Sequence, residues 1–274
     1  MASTRRILVT GLGGAVGAGI RPALEQRYQL STLSRSGVAG IPPEKNFRAD
    51  ISNLEAITPA FEGIDSVVHL AAYGGINSPL GMVDAPWEEI VRNNIEGTRN
   101  VFEASSRAGV RRIVFASSGA TVGGYQKDPP YSNITYGNHD QVPSEWHMLH
   151  TSDEPRPLNL YAVSKLFGED LARFYVETTP LSILCIRIGA CPASGRPRPN
   201  DHWGQAIFVS HNDAADLIVR SIEASDDLRY DIFFGISNNR WRFRDFSHST
   251  DLLGHVPQDA AEDFIDEDNH KGAE

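Results

Sequence analysis

Short apolar runs alternate with amphipathic stretches over the first two-thirds of the chain. Ile7–Val9 reads as a short buried strand that enters a glycine-rich turn, and a helix follows to about Arg27. Further strands fit Leu30–Leu33, the neighbourhood of Phe47–Arg48, and Ser66–Leu70, where SVVHL is apolar and β-branched. A long helical pattern starts at Pro86 and runs to about Ala108. Proline suits a helix start because the amide hydrogen it lacks has no partner there anyway, and Gly109 stops the pattern. Arg112–Ala116 (RIVFA) and Leu181–Ile188 (LSILCIRI) are the fifth and sixth strands, with a helix near Leu160–Glu177 between them. Strands that stay apolar along their length are buried on both faces. Interleaved with helices, they predict an α/β fold with a doubly wound parallel sheet of Rossmann type.

The first turn carries the clearest chemistry. Thr10-Gly11-Leu-Gly-Gly14-Ala-Val-Gly17 follows a strand and opens a helix. There Gly11 makes the tight turn, Gly14 lets a pyrophosphate approach the backbone, and Gly17 lets the helix pack on the sheet; the helix N-terminus supplies amides and positive dipole to the phosphates. A dinucleotide site is therefore expected. The second strand ends at Ser34-Arg35-Ser36, where NAD sites place an acid for the ribose hydroxyls. Arg35 in its place suits a 2′-phosphate, with Ser34 and Ser36 as further donors, so NADP is expected over NAD; the alternative is that Arg35 faces solvent or stacks on adenine. Asp50 and Ile51 either meet the adenine or begin a helix. Leu70 and Ala71, ending the fourth strand, leave room for the cofactor, and Ser117 and Ile188 at later strand ends are expected to touch it.

Tyr161-Ala-Val-Ser-Lys165 is the second signal. A spacing of four puts both side chains on one helix face. The ammonium of Lys165 is expected to lower the pKa of Tyr161 and to reach the nicotinamide ribose, while Tyr161 moves the proton of a substrate hydroxyl as hydride transfers. Ser118 is the hydroxyl expected to assist, with Thr121 as the alternative.

Together TGxxGxxG at Thr10–Gly17, VVHLAA at Val67–Ala72, NNIEGTRN at Asn93–Asn100, FASS at Phe115–Ser118 and YxxxK at Tyr161–Lys165 resemble the extended short-chain dehydrogenase/reductases of the NAD-dependent epimerase/dehydratase group, over residues 5–255. The resemblance implies an oxidoreductase, a role for Asn94 in holding the cofactor site together, and a homodimer formed through the two long helices. Dehydratases of the group carry an Asp-Glu pair where this chain has Ala120-Thr121, so elimination is not expected. The C-terminal half, through Arg187–Cys191, Phe208–Asp213 and Phe234–Pro257, is most similar to uronate dehydrogenase-like members. Those oxidise the anomeric hydroxyl of a sugar acid and clamp its carboxylate with an Arg after the sixth strand, which implies Arg196 or Arg198 here. The chain departs from them at Gly119-Ala120, at Arg35 and in a long stretch from Gly119 to Pro157. A sugar epimerase with tightly held cofactor and a non-enzymatic NADP-sensing protein are the alternatives.

On this reading residues 1–190 form the dinucleotide-binding core, with residues 119–157 as an excursion. Rich in Pro, Asn, Gly, Tyr and His, it is either a flap on the substrate side or a surface and subunit contact. His139, Trp146, His147 and His150 in it are candidates to line a pocket. Residues 191–258 form a small substrate-side cap, comprising a loop at Gly195–His202, a helix at His211–Ala224, a strand at Asp231–Phe234 and a helix at Arg244–Leu253. The acidic residues 259–274 are expected to fray.

The 274 residues are 41% hydrophobic, enough for a large core, and the net charge of −10 argues against nucleic-acid or anionic-membrane partners. Two cysteines with no ligand spacing imply neither a disulfide framework nor a metal site. Met1–Arg6 runs straight into a strand, so neither a signal peptide nor a membrane span is expected, and the protein is expected in the cytoplasm. After the sixth strand only about 85 residues remain, which favours a small substrate over a nucleotide sugar.

Overall fold

A computed structural model describes residues 5–74 and 86–265. Its centre is a seven-stranded, all-parallel sheet: β1 (Arg6–Thr10), β2 (Gln29–Ser34), β3 (Asn46–Arg48), β4 (Ser66–His69), β5 (Arg112–Ser118), β6 (Ser182–Ile188) and β7 (Tyr230–Gly235), in the order β3-β2-β1-β4-β5-β6-β7. The order reverses between β1 and β4, and the crevice beyond their carboxyl ends is where such sheets bind ligands. Every residue of β4, β5 and β6 is buried, as their unbroken apolar runs predict.

The helices are α1 (Ala15–Arg27), α2 (Leu54–Ile57), α3 (Trp87–Glu89), α4 (Gly97–Arg107), α5 (Tyr131–Tyr136), α6 (Leu160–Thr178), α7 (His202–Ala206), α8 (His211–Glu223) and α9 (Ser247–Leu253). One face of the sheet is covered by α1 and α8, whose Ile20, Leu24, Leu217 and Ile218 meet Val9, Val68, Val114 and Ile186. The other is covered by α4 and α6, where Phe102, Ala172 and Tyr175 meet Leu8, Val67, Ile113 and Phe115. A third apolar cluster joins Val122, Tyr131, Ile134 and Leu149 of the excursion to Ile207, Phe234, Ile236 and Phe243 of the C-terminal part. The excursion is thus an ordered layer with its own core.

Several boundaries differ from the sequence reading. The single helix expected over Pro86–Ala108 is divided by a π-helical segment, Ile90–Glu96, because its wider turn carries Asn93 and Asn94 inward. Within 191–258, α8 and β7 complete the sheet core, and the cap is made by the remaining pieces. A helix expected from Arg244 begins at Ser247, since Arg244 is drawn inside and its backbone runs beside Leu149, with the Leu149 amide on the Phe243 carbonyl at 2.8 Å. The tail expected to fray is packed as far as residue 265: Ala261 is fully buried with its amide on Asn239, and the Phe264 ring meets Phe208. Residues 266–274 lie outside the described residues.

Candidate active site

The glycine turn is set by close backbone approach. Gly11 adopts φ +75°, and a Cβ there would come within 2.8 Å of the Ala71 amide nitrogen, because the ends of β1 and β4 are pressed together. The Thr10 hydroxyl accepts from the Ala71 amide at 3.2 Å, and the Leu70 amide donates to the Thr10 carbonyl at 3.1 Å. Gly17 sits against the backbone of Leu12, which leaves no room for a side chain. Gly14 caps α1 without a side-chain bond, so the positive end of the helix faces the crevice bare. At the end of β2 the Ser34 hydroxyl is buried without a hydrogen-bond partner among the described residues. A bare helix end beside an orphaned hydroxyl, where a cofactor ribose would lie, fits a dinucleotide.

Arg35 is exposed. Asp50, nearby, is engaged by the protein: one oxygen accepts from the Ser52 amide and hydroxyl, the other from Arg92 at 2.6 Å. Its carboxyl is held below the usual range; burial acts upward, but the Ser52 bonds and the charges of Arg92 and Arg35 outweigh it. These bonds close the turn ahead of α2, whose N-cap is Asn53 rather than Asp50. Ile51 is buried against Gly97 of α4. Asn94 holds both backbone groups of Tyr73, at 2.7 and 2.9 Å, and donates to the Ser164 hydroxyl at 3.0 Å, tying the end of β4 to α6.

At the reacting end, Tyr161, Lys165 and Glu169 recur every four residues and share the face of α6 that lies on β5. The Ser118 hydroxyl favours the phenolate of Tyr161 and itself accepts from the Ala120 amide at 3.1 Å. Burial pushes the phenol up and Ser118 partly offsets this. Thr121 is turned away, its hydroxyl donating to the Ser118 carbonyl at 2.8 Å, so the structure brings Ser118 and not Thr121 to the phenol. The ammonium of Lys165 is committed to the Ala116 carbonyl at 2.8 Å, 5.5 Å from the Tyr161 ring centroid. Burial pushes it down to about 8, with Glu169 opposing. The expected lowering of Tyr161 by Lys165 is therefore not what dominates; burial is.

Successive side chains of β5 point to opposite faces, so Ser117 is turned from the crevice to Glu169, to which its hydroxyl donates. Arg187 completes the pair with two bonds to the Glu169 carboxylate, both 2.9 Å. Ile188 ends β6 opposite Ser118. His69, which the sequence reading passed over, bridges Thr10 at 2.7 Å and Thr98 at 3.3 Å, and burial pushes it down to about 3, so it is neutral.

The remaining candidates disperse. The Arg196 guanidinium lies 5.7 Å from the Phe264 ring and Arg198 is exposed. His139 stacks on Trp241 at 4.0 Å, Trp146 donates to the Arg242 carbonyl, His147 meets Asp153 at 3.2 Å, and His150 lies 3.7 Å from Asp245. These residues knit the excursion and the cap together. Two buried cations were missed. Arg187 was legible as a charge inside the apolar run LSILCIRI. Arg244 was not, because it reads as the first residue of the helix expected over Arg244–Leu253. Among the described residues no cluster of three or more metal-ligating side chains occurs, and no helix is long and apolar enough to cross a membrane.

Known proteins agree with this geometry. A family model described as the NAD dependent epimerase/dehydratase family matches residues 7–208. An NAD-dependent glucose-6-phosphate dehydrogenase of Haloferax volcanii is 32% identical over 94% of this chain and 95% of its own length. A uronate dehydrogenase of Agrobacterium fabrum is 34% identical over 95% of this chain and 87% of its own. The crystal structure of uronate dehydrogenase from Agrobacterium tumefaciens superposes with a TM-score of 0.77 at 31% identity, covering 96% of this chain and 88% of that one. With its glycine turn, its Tyr161–Lys165 pair and these relatives along almost its whole length, the chain belongs to the NAD-dependent epimerase/dehydratase family.

Proposed function

We propose that this enzyme, an NAD(P)-dependent oxidoreductase of the family, dehydrogenates the anomeric hydroxyl of a small sugar or sugar acid to the lactone. The observation that carries the reading is the hydroxyl pair of Ser118 and Tyr161 at the end of β5, beside the crevice opened by the glycine turn. A bound nicotinamide would supply the acceptor for the hydride of C1. Ser118 holds the substrate oxygen, and the Tyr161 phenolate takes the proton from it as the C–H bond breaks. Lys165 anchors the nicotinamide ribose and favours the phenolate through its charge. Two relatives with sugar dehydrogenase names support the substrate class.

Arg35, with Ser34 and Ser36, supports a preference for NADP over NAD, since all three stand where an acid would select against the 2′-phosphate. A homodimer through α4 and α6 is supported by Leu160, Val163 and Phe174, large apolar side chains exposed along α6.

A cofactor-reduction screen over sugars, sugar acids and small alcohols tests the reading. The wild type is expected to reduce cofactor with an aldose or its acid, and Tyr161→Phe to lose roughly 10²–10⁴-fold in kcat while binding cofactor normally. Equal turnover by the variant would remove Tyr161 from the chemistry.

A further inference from the structure

Arg244 is a fully buried cation of the cap that lacks a full set of partners among the described residues. It is 2% exposed. One guanidinium nitrogen donates to the Gly119 carbonyl at 2.9 Å. The other two, Nε and Nη1, are buried with no hydrogen-bond partner among the described residues. Its surroundings are the rings of Phe234 and Phe243, at 6.0 and 5.4 Å, and a second cation, Arg187, whose own charge is already taken by Glu169. Burial, with Arg187 adding to it, pushes the guanidinium down to about 9. An isolated buried charge is costly, and proteins hold one only where an anion or a full set of acceptors meets it.

Its position says which anion. A Cβ at Gly119 would overlap Nη1 of Arg244, so the guanidinium fills the space that a side chain at 119 would occupy. That residue directly follows Ser118, whose hydroxyl meets the phenol of Tyr161. The chain has given up a side chain beside the reacting hydroxyls and has put there a cation reaching in from the cap.

We propose that Arg244 is a specificity residue that receives the oxyanion of an acidic sugar, either the carboxylate of a sugar acid or the phosphate of a sugar phosphate. This rests on the proposed sugar-dehydrogenase reading and deepens it. The anion accepts along one edge of the guanidinium, from Nε or Nη1 together with the second hydrogen of Nη2, while the other Nη2 hydrogen keeps the Gly119 carbonyl, so that binding the acid group and setting the backbone after Ser118 are one event. A neutral sugar leaves the two donors unpaired, which is how a buried polar site rejects an analogue lacking the matching group.

Binding is measured calorimetrically on Tyr161→Phe protein saturated with cofactor, with glucuronate, glucose 6-phosphate and glucose as the three ligands. The same titrations are run with Arg244→Met added. Turnover of the three compounds is followed in parallel with Tyr161 intact. Arg244→Met conserves bulk and removes the charge. Gly119→Ala is the second variant: it keeps Arg244 and displaces the guanidinium. One anionic sugar is expected to bind at least tenfold tighter than glucose, and its identity separates carboxylate from phosphate. Both variants are expected to abolish that preference, through KM more than kcat in turnover, because truncating one member of a buried charged pair is costly. Equal binding of neutral and anionic sugars by the Arg244 protein, or a preference that survives Arg244→Met, overturns the proposal. Anion-selective binding without hydride transfer would sink the dehydrogenase reading and leave Arg244 standing. Turnover of neutral sugars without anion preference would do the reverse.

Discussion

Lys165 donates its ammonium to the main-chain carbonyl of Ala116 at 2.8 Å, on the same helix face as the phenol of Tyr161 and one turn further along. The lysine is thereby fixed by the strand that carries Ser118. Burial holds it down to about 8, so it is ammonium below that pH and loses its charge above it. Oxidation requires the phenolate, and kcat/KM is therefore expected to rise with pH. In Lys165→Met the rising limb should move to higher pH by a unit or more, and the cofactor KM should increase. A pH profile of kcat/KM for both proteins checks this; an unmoved limb would confine the lysine to anchoring.

His69 sets an acid limit on the fold. It is neutral when folded because burial, with Lys165 adding to it, pushes it down to about 3, whereas an exposed histidine takes a proton near 6.5. Between those values the unfolded chain binds the extra proton, so stability falls as pH drops from about 6.5 toward 3, by up to about 1.4 kcal/mol for each pH unit. His69→Gln is expected to be less stable at neutral pH, since it disturbs the bonds to Thr10 and Thr98, but to lose less on acidification from pH 7 to 5. Thermal melts of both proteins across that range measure the difference in slope.

Arg35 supplies the test of cofactor choice. Replacing it by Glu removes a donor for a 2′-phosphate and puts a like charge beside it. NADP affinity is expected to fall by roughly 10- to 100-fold and NAD affinity to change little or improve. Fluorescence titration with both reduced cofactors gives the ratio, and tighter NAD binding by the unmodified protein would reverse the expected preference.

Phe174 is 57% exposed on α6, in line with Leu160 and Val163. If α6 meets its copy in a dimer, Phe174→Asp buries a carboxylate at the seam. Light scattering after gel filtration is expected to give a dimer for the wild type and a monomer for the variant, with the circular dichroism of both alike.

What the sequence disclosed followed from local chemistry. The glycine turn, the strands of the parallel sheet and the Tyr161–Lys165 spacing are legible because each is fixed by residues within a few positions of one another. What it concealed depends on distant segments meeting. Sequence alone favours Ser118 over Thr121 only by proximity to the strand; it is the turn after β5, with Ser118 accepting from Ala120, that sends the Thr121 hydroxyl to a carbonyl instead. Arg244 reads as the polar start of a helix, and its burial depends on Gly119, 125 positions earlier. Residues 259–265, polar and near the end, stay in place because Asn239 and Phe208 hold them. The π-helical turn at Ile90–Glu96 has a helical pattern in sequence and differs only in which residues it brings inward.

The cluster of Val122, Tyr131, Ile134, Leu149, Ile207 and Phe243 has an evolutionary corollary. Because the excursion and the C-terminal pieces that cover it share apolar packing largely of their own, insertions and exchanges in this roof can be absorbed without disturbing the sheet beneath. Such a roof is free to drift toward new sugars while the machinery beneath it is inherited intact, and grafting it as a pair onto a sister enzyme should carry substrate choice along with it.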